Sequence, residues 1–404
     1  MSRESLSRDE RLARVVEFTQ ELVAADSQNP PGLEAQCAAA VSSIATHHGL
    51  NVIVDDSNEL LPSSRPNAIV STGEMQDTKP TLLFLSHLDV VPAGEGWKTD
   101  PFECVSMQGR LYGRGVADTK GGLATVIDAM ARVKDSVSDV ANIMLVAASD
   151  EEEGGRGTES YLRKNHGLDL RGCVVVEPTS MQTVIACKGN AYFEISFHGK
   201  SAHASNPDNG TNAIYAASRV VLEFRSWHCS LQEEEDALIG PPTWNVGMVS
   251  GGTGTAIVPA ECVIEIDRRL RAGETAMEVQ QEIVQRLQNL QLESDFGVTY
   301  TISAKMEMPG FKTLSDDSFV TMIHDKAASY GYDIPLGGWR ASCDGGFVTQ
   351  AYPGCPIVLC GPGDVANEAH RPNESVPIQE LQAASEIFEA AMLAFAKEIR
   401  NEDR

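Results

Sequence analysis

Basic residues are scarce in this sequence. Lys and Arg number 32 against 57 Asp and Glu, a formal net charge of −25, and only 11 of the bases are lysine. Phosphate binding needs a basic face, and an anionic bilayer attracts basic segments. Nucleic-acid and membrane partners are therefore not expected. The acid excess itself reads as a solvated surface, weakly suggestive of salt adaptation, and carries no information about fold. Long apolar runs are missing too. None reaches about 18 residues, and the start, MSRESLSRDERLARVVEF, lacks the apolar core of a signal peptide. The nine cysteines are odd in number, scattered, and include no Cys-x-x-Cys pair. That excludes a disulfide scaffold and points to a reducing compartment, so a cytoplasmic protein is expected. Three catalytic signatures are absent: the phosphate loop G-x-x-x-x-G-K-[ST], the elbow G-x-S-x-G, and H-E-x-x-H.

What is present fits a two-domain globular chain. Its 404 residues are 42% apolar with 34 glycines, enough for a large core. Apolar positions at helical spacing run over 8–25, NPPG at 29–32 signals a turn, and 33–49 reads as a second helix. Short apolar runs follow: NVIV (51–54), TLLFLS (81–86), NIMLVAAS (142–149) and CVVV (173–176), with a helix over 121–133. Nearly continuous apolar strands alternating with helices predict a parallel sheet covered by helices on both faces. Near residue 188 the period changes. AYFEISFHG (191–199) alternates as a strand buried on one side does. Helix 212–226, strands 243–250 and 262–270, helix 275–291 and strand 298–304 follow, an order β-α-β-β-α-β that matches a split βαβ unit. From about 306 the α/β pattern returns, with helix 316–330, strand 356–360 and helix 377–399. The expected division is 1–187 plus 306–404 for one domain and 188–305 for an inserted, ferredoxin-like α+β domain.

Four apolar runs lead into chemistry-bearing residues. TLLFLS runs into His87 and Asp89, NIMLVAAS into Asp150-Glu151-Glu152-Glu153, and CVVV into Glu177. PIVLC runs into GPGD, ten residues before His370. In an open parallel sheet, ligands bind beyond the carboxyl ends of the strands. A lone histidine or acidic run is ordinarily structural, but repeated placement at strand ends predicts convergence. Imidazoles and carboxylates without thiolates suit Zn²⁺, Mn²⁺ or Co²⁺. Asp89 lies two residues beyond His87, on the same face if the strand continues, where it could fix the His87 tautomer. Asp118, in the Gly-rich GRGVADTKGG turn, reads either as a ligand or as a helix N-cap.

Taken in order and spacing, SHLDVVPAG, GRGVADTKGG, ASDEEEGGRGT, VVEPTS, GKSAHASNPDNGTNAI, EIDRRLRAGE and GPGDVANEAHRPNE resemble a known family. It is the di-zinc deacylase/metallopeptidase family of acetylornithine deacetylase, succinyl-diaminopimelate desuccinylase, aminoacylase and carboxypeptidase G. The resemblance spans about residue 10 to the end and implies two Zn²⁺, with Co²⁺ or Mn²⁺ as alternatives. It implies that His87 and Glu177 bind one metal, that Glu152 and His370 bind the other, and that Asp118 bridges them. Asp89 would orient His87. Glu151 would be the general base toward a hydroxide shared by the metals, and Glu153, on the family's variable position, would face solvent. The inserted domain would be the lid and dimerisation domain. Its His203 would reach the neighbouring subunit's site in a homodimer and polarise the scissile carbonyl. Arg269 would grip a substrate carboxylate in its planar fork.

Two departures bear on substrate. GGTGTAIVP carries Ala256 where family members often have Asn, so a polar contact is expected to be missing or supplied otherwise. SCDGG (342–346) replaces a Thr-Asp-Ala type of motif but keeps Asp344, which could bind a substrate amine or support the site. The expected activity is hydrolysis of the amide of a small N-acyl amino acid, such as an N-acetyl compound. A dipeptidase or carboxypeptidase using the same site is the alternative, and a catalytically silent metal-binding or dimerisation protein is the rival of a different class.

Overall fold

In the computed structural model, residues 7–234 and 236–402 are described, and the chain divides into two compact units. Of the described residues, one comprises 7–185, 313–337 and 347–402; the other comprises 186–234, 236–312 and 338–346. The expected domain limits at residues 1 and 404 lie outside the described residues.

The first unit is built on a sheet whose middle is parallel. Pro80–His87 lies between Asn142–Ala148 and Asp169–Val175, and the last of these pairs with Ile357–Leu359. Residues 81–87, 142–148 and 357–359 are buried throughout, which is why these strands read as continuous apolar runs. The sheet is flanked by helices. Arg8–Ala24 starts from a capping box, with Ser7 and Glu10 exchanging hydrogen bonds, and it buries Val15, Phe18, Leu22 and Val23. Lys120–Val137 packs against both Arg8–Ala24 and Ile378–Glu402, and Phe388 of the last helix meets Phe84 of the central strand edge-to-face at 5.5 Å.

NVIV is not part of the parallel set. Asn51–Asp55 is an antiparallel edge strand, only partly buried, paired to Asn67–Ser71. Asn67–Ser71 was not expected from the sequence at all, although its five residues are all buried. It pairs antiparallel with Asn142–Ala148, and a five-residue run after a Ser/Pro-rich loop carries too little periodicity to distinguish it from coil.

The second unit has a four-stranded antiparallel sheet. Thr243–Gly251, Glu261–Leu270, Gly189–His198 and Thr299–Met308 lie side by side in that order. With helices Ala213–Leu231 and Ala276–Asn289 this is the ferredoxin-like arrangement. Phe193, Ile195 and Phe197 point into its core, where Phe224, Trp227 and Trp244 make an aromatic cluster with centroids 4.6–5.9 Å apart. Arg268 is fully buried against Trp244, 4.8 Å from the ring centroid, and paired with Glu274. Arg269, its neighbour along the strand, therefore takes the opposite face of the sheet. The unit is wider than 188–305. Lys188 N–H donates to the Trp339 carbonyl (3.1 Å), and Gly346 lies so close to Pro309 that a Cβ there would sit 1.7 Å from the Pro309 oxygen.

Among the described residues no helix is long and apolar enough to cross a membrane. Gly157 ties the turn after Asn142–Ala148 to the strand missed in the sequence. Its N–H donates to the Ser149 carbonyl (3.1 Å) and its carbonyl accepts from Asn67 (2.9 Å). A Cβ would stand 2.3 Å from the Ser149 oxygen and 2.6 Å from Asn67 Oδ1. Gly157→Ala should cost about 1–3 kcal/mol of stability, read as a lowered thermal midpoint. An unchanged midpoint would contradict this packing.

Candidate metal centre

His87, the Glu151–Glu152 pair and Glu177 leave the ends of parallel strands, whereas Asp118 and His370 come from a turn and a loop elsewhere in the chain. His87 is the last residue of Pro80–His87, and Asp118 ends the turn before Lys120–Val137. Glu151 and Glu152 open a single 3-10 turn over Glu151–Glu153 after Asn142–Ala148. Glu177 follows Asp169–Val175, and His370 lies in the loop before Ser375–Pro377 with a left-handed φ of 61°. Glu153 is exposed.

The ligand atoms of His87, Asp118 and Glu152 all lie within 4.8 Å of one another. His87 Nε2 is 3.0 Å from Asp118 Oδ1. His370 Nε2 is 3.3 Å from Asp118 Oδ2 and 3.0 Å from Glu152 Oε2. Asp118 thus stands between the two imidazoles, and Thr119, not Asp118, occupies the N-cap position of the following helix. Glu177 is buried. Its charge and that of Glu151 act on the His87 imidazole.

The electrostatics follow from crowding acids in a dry place. Burial alone would disfavour a charged His87, but the hydrogen bond to Asp118 and the charges of Glu151, Asp118 and Glu177 drive its pKa well above the usual range. His370 is pushed up to about 10, first by its hydrogen bond to Asp118 and then by that to Glu152. Burial opposes ionisation of Asp118, yet the hydrogen bonds from His370 and His87 hold its carboxyl below the usual carboxylate range. Glu152 is raised, chiefly by burial.

The residue pattern of Peptidase family M20/M25/M40 matches residues 83–394. The chain belongs to this family. It is a metal-dependent hydrolase of the M20 type. Acetylornithine deacetylase of Proteus mirabilis is 28% identical over 316 residues, covering 76% of this chain and 77% of the relative. Succinyl-diaminopimelate desuccinylase of Acidovorax ebreus is 27% identical over 330 residues, covering 78% and 81%. Among solved structures, an M20 family metallo-carboxypeptidase from Sulfolobus solfataricus superposes with a TM-score of 0.76 at 20% identity, covering 96% of this chain and all of that one. A tripeptidase from Staphylococcus aureus does so at 0.74 and 22%, covering 96% and 99%. These two show the shared fold.

For an M20 hydrolase the donor set fits divalent cations. His87, Asp118, Glu152 and His370 bring imidazole nitrogens and carboxylate oxygens together without a thiolate. His87 Nδ1–H donates to the Asp89 backbone carbonyl (2.8 Å), which leaves Nε2 facing Asp118. The Asp89 carboxylate, 3.8 Å from Nδ1, has other partners. It accepts from the N–H groups of Glu151 and Glu152 (3.1 Å each) and from Asn29 (2.9 Å). Asp89 thereby satisfies the otherwise orphaned donors of the turn that presents both glutamates. This network leaves no signal in the local sequence. Asn29, inside the NPPG turn, also bonds Asp150 (3.3 Å), and Arg65 pairs with Asp150 (2.9 Å) and with Glu34. NPPG signalled only a turn, and nothing local announces that Asn29 meets residues 60 and 121 positions away.

The remaining predicted residues belong to the second unit. His203 is exposed, its Nδ1 accepting from the Ser205 N–H (3.1 Å). Arg269 is forked onto Asp267, with Nε–Oδ1 3.1 Å and Nη2–Oδ2 3.2 Å. Asp344 is buried.

The raised pKa values predict that His87 and His370 carry protons at pH 7 in the metal-free protein, and an imidazole that takes up a metal must give its proton up. Adding Zn²⁺ to metal-free protein at pH 7 should release about two protons per chain, and fewer as the pH rises toward 10. Calorimetry in buffers of different ionisation enthalpy measures this. Zinc uptake without proton release would contradict the charge assignment.

Proposed function

We propose that this M20 hydrolase cleaves the amide bond of small N-acyl amino acids, with acetylated substrates the first to test. The observation that carries the proposal is the meeting of His87, Asp118, Glu152 and His370, with Glu151 directly beside Glu152 on one turn. The curated relatives named as deacetylases and desuccinylases support the substrate class.

In this reading His87 and Glu177 hold one divalent cation, Glu152 and His370 a second, and Asp118 both, zinc being the preferred ion. When bound, such ions lower the pKa of water and polarise a carbonyl. Glu151 removes a proton from the attacking water and delivers it to the leaving amine. That delivery matters because an amide nitrogen leaves poorly without a proton. Asp89 holds Glu151 and Glu152 in place through their backbone N–H groups and His87 through its own carbonyl. His203 donates a hydrogen bond to the oxyanion. Arg269 binds the substrate carboxylate, exchanging Asp267 for it, and Asp344 binds or supports the amino-acid side chain. The protein acts as a homodimer, with His203 serving the partner subunit's site. A reducing, cytoplasmic setting is supported by nine cysteines without a disulfide.

A panel of N-acetyl and N-succinyl amino acids and dipeptides, assayed with zinc, cobalt and manganese, tests the substrate class. Turnover of dipeptides alone would replace the deacylase reading by a peptidase one. Glu151→Ala should lower kcat by about 10²–10⁴-fold with bound metal unchanged, and near-parent kcat would remove Glu151 from the role of base. Arg269→Ala should raise KM by about 10–100-fold, the equivalent of losing ~1.5–3 kcal/mol of charged hydrogen bonding. An unchanged KM would reassign the carboxylate contact.

A further inference from the structure

Glu374 is a buried acid that the proposed reaction does not use. It is 1% exposed and lies four residues after His370, in a region already crowded with carboxylates. Burial and the nearby Asp118 charge push its pKa up to about 7. A further acid in such a place costs free energy unless it does something for the structure around it. Its bonding shows what that is. One carboxylate oxygen accepts from the backbone N–H groups of Ala117 (2.9 Å) and Asp118 (3.1 Å). The other accepts from Arg114 Nη1 (2.6 Å), and the Glu374 backbone carbonyl accepts from Gly113 N–H (3.1 Å). One residue therefore holds the whole 113–118 turn, whose last member is Asp118. Arg114 is itself buried, 2% exposed, and lies over the Trp97 ring at 5.3 Å. The segment carrying Glu374 is pinned on its other side, where Asn373 Oδ1 accepts from Lys98 N–H (2.8 Å).

We propose that Glu374, with Arg114, is a positioning residue that joins the turn bearing Asp118 to the segment bearing His370, so that the two side chains are set for metal before any metal binds. Asp118 and His370 come from chain segments about 250 residues apart, and their side chains meet at 3.3 Å. A floppy turn would have to be ordered when the ion binds, and that ordering would be subtracted from affinity. The inference rests on the reading of His87, Asp118, Glu152 and His370 as metal ligands.

The test is a zinc competition titration of the full chain against a chromophoric chelator, alongside the thermal midpoint of the metal-free protein. Glu374→Ala should bind zinc roughly 10–100-fold more weakly. Glu374→Gln keeps an oxygen for the Ala117 and Asp118 N–H groups and should recover to within about 10-fold of the parent. Asp128→Asn is the control for a merely structural lesion. Asp128 is buried between Arg14, Arg132 and Ser385, and its loss should lower the midpoint while leaving zinc affinity within about threefold of the parent. The proposal is overturned if Glu374→Ala binds zinc within about threefold of the parent, or if Asp128→Asn weakens zinc as much as Glu374→Ala does. Should Glu374→Ala fail to fold, Arg114→Gln carries the same test. It leaves the carboxylate without its cation, and unchanged zinc affinity overturns the proposal. His370→Ala separates the two readings. If it binds zinc as the parent does, or if the parent takes up none, the metal assignment falls. If it loses zinc and Glu374→Ala does not, only the positioning role falls.

Discussion

Carboxylates packed where water is scarce repel one another and lose their hydration, and this centre has to be built around neutralising them. Asp89, Asp118, Glu177 and Glu374 are all buried, and Glu152 is nearly so at the side chain. Asp89, Asp118 and Glu374 are given compensating partners. Asp89 takes backbone N–H groups and Asn29, Asp118 takes two imidazoles, and Glu374 takes Arg114 and two more N–H groups. The residual negative charge drives protons onto His87 and His370. A site that holds protons this firmly on its nitrogens is one where divalent cations have the same electrostatic work to do.

The fold serves that concentration of charge by keeping it rigid. The parallel middle of the sheet brings the ends of Pro80–His87, Asn142–Ala148 and Asp169–Val175 side by side, so His87, the Glu151–Glu153 turn and Glu177 leave the sheet as neighbours. Asp118 and His370 are not on those strands and need other anchors. Asp89 organises the glutamate turn and Glu374 the Asp118 turn, each by accepting backbone N–H groups. Both use one acid to hold the backbone that carries another.

Some of this could be read before the chain was folded, and the reason is physical. Strands buried on both faces are uniformly apolar and announce themselves, as TLLFLS and NIMLVAAS do. The ferredoxin-like unit was legible because alternation in AYFEISFHG reports a sheet with one dry face. The edge strand Asn51–Asp55 and its neighbour Asn67–Ser71 were misread or missed, since strand direction and pairing are set by partners far along the chain. Arg268 and Arg269 are adjacent and chemically identical, and the family resemblance pointed to the second. The pleat sends the first under Trp244 and the second to the other face.

By itself the sequence determined the class of chemistry: acids and histidines at strand ends, no thiolates among them, and the seven ordered motifs of one hydrolase family. These are local properties, carried by residue type and spacing. Only the tertiary structure decided who supports whom. It assigned the His87 tautomer to the Asp89 backbone carbonyl, gave the Asp89 carboxylate to the glutamate turn, and brought Asn29, Arg65 and Glu374 beneath the site. A hydrogen bond between residues 60 to 260 positions apart leaves no periodic trace in a sequence, because its partners are chosen by how the elements pack and not by what lies beside them in the chain.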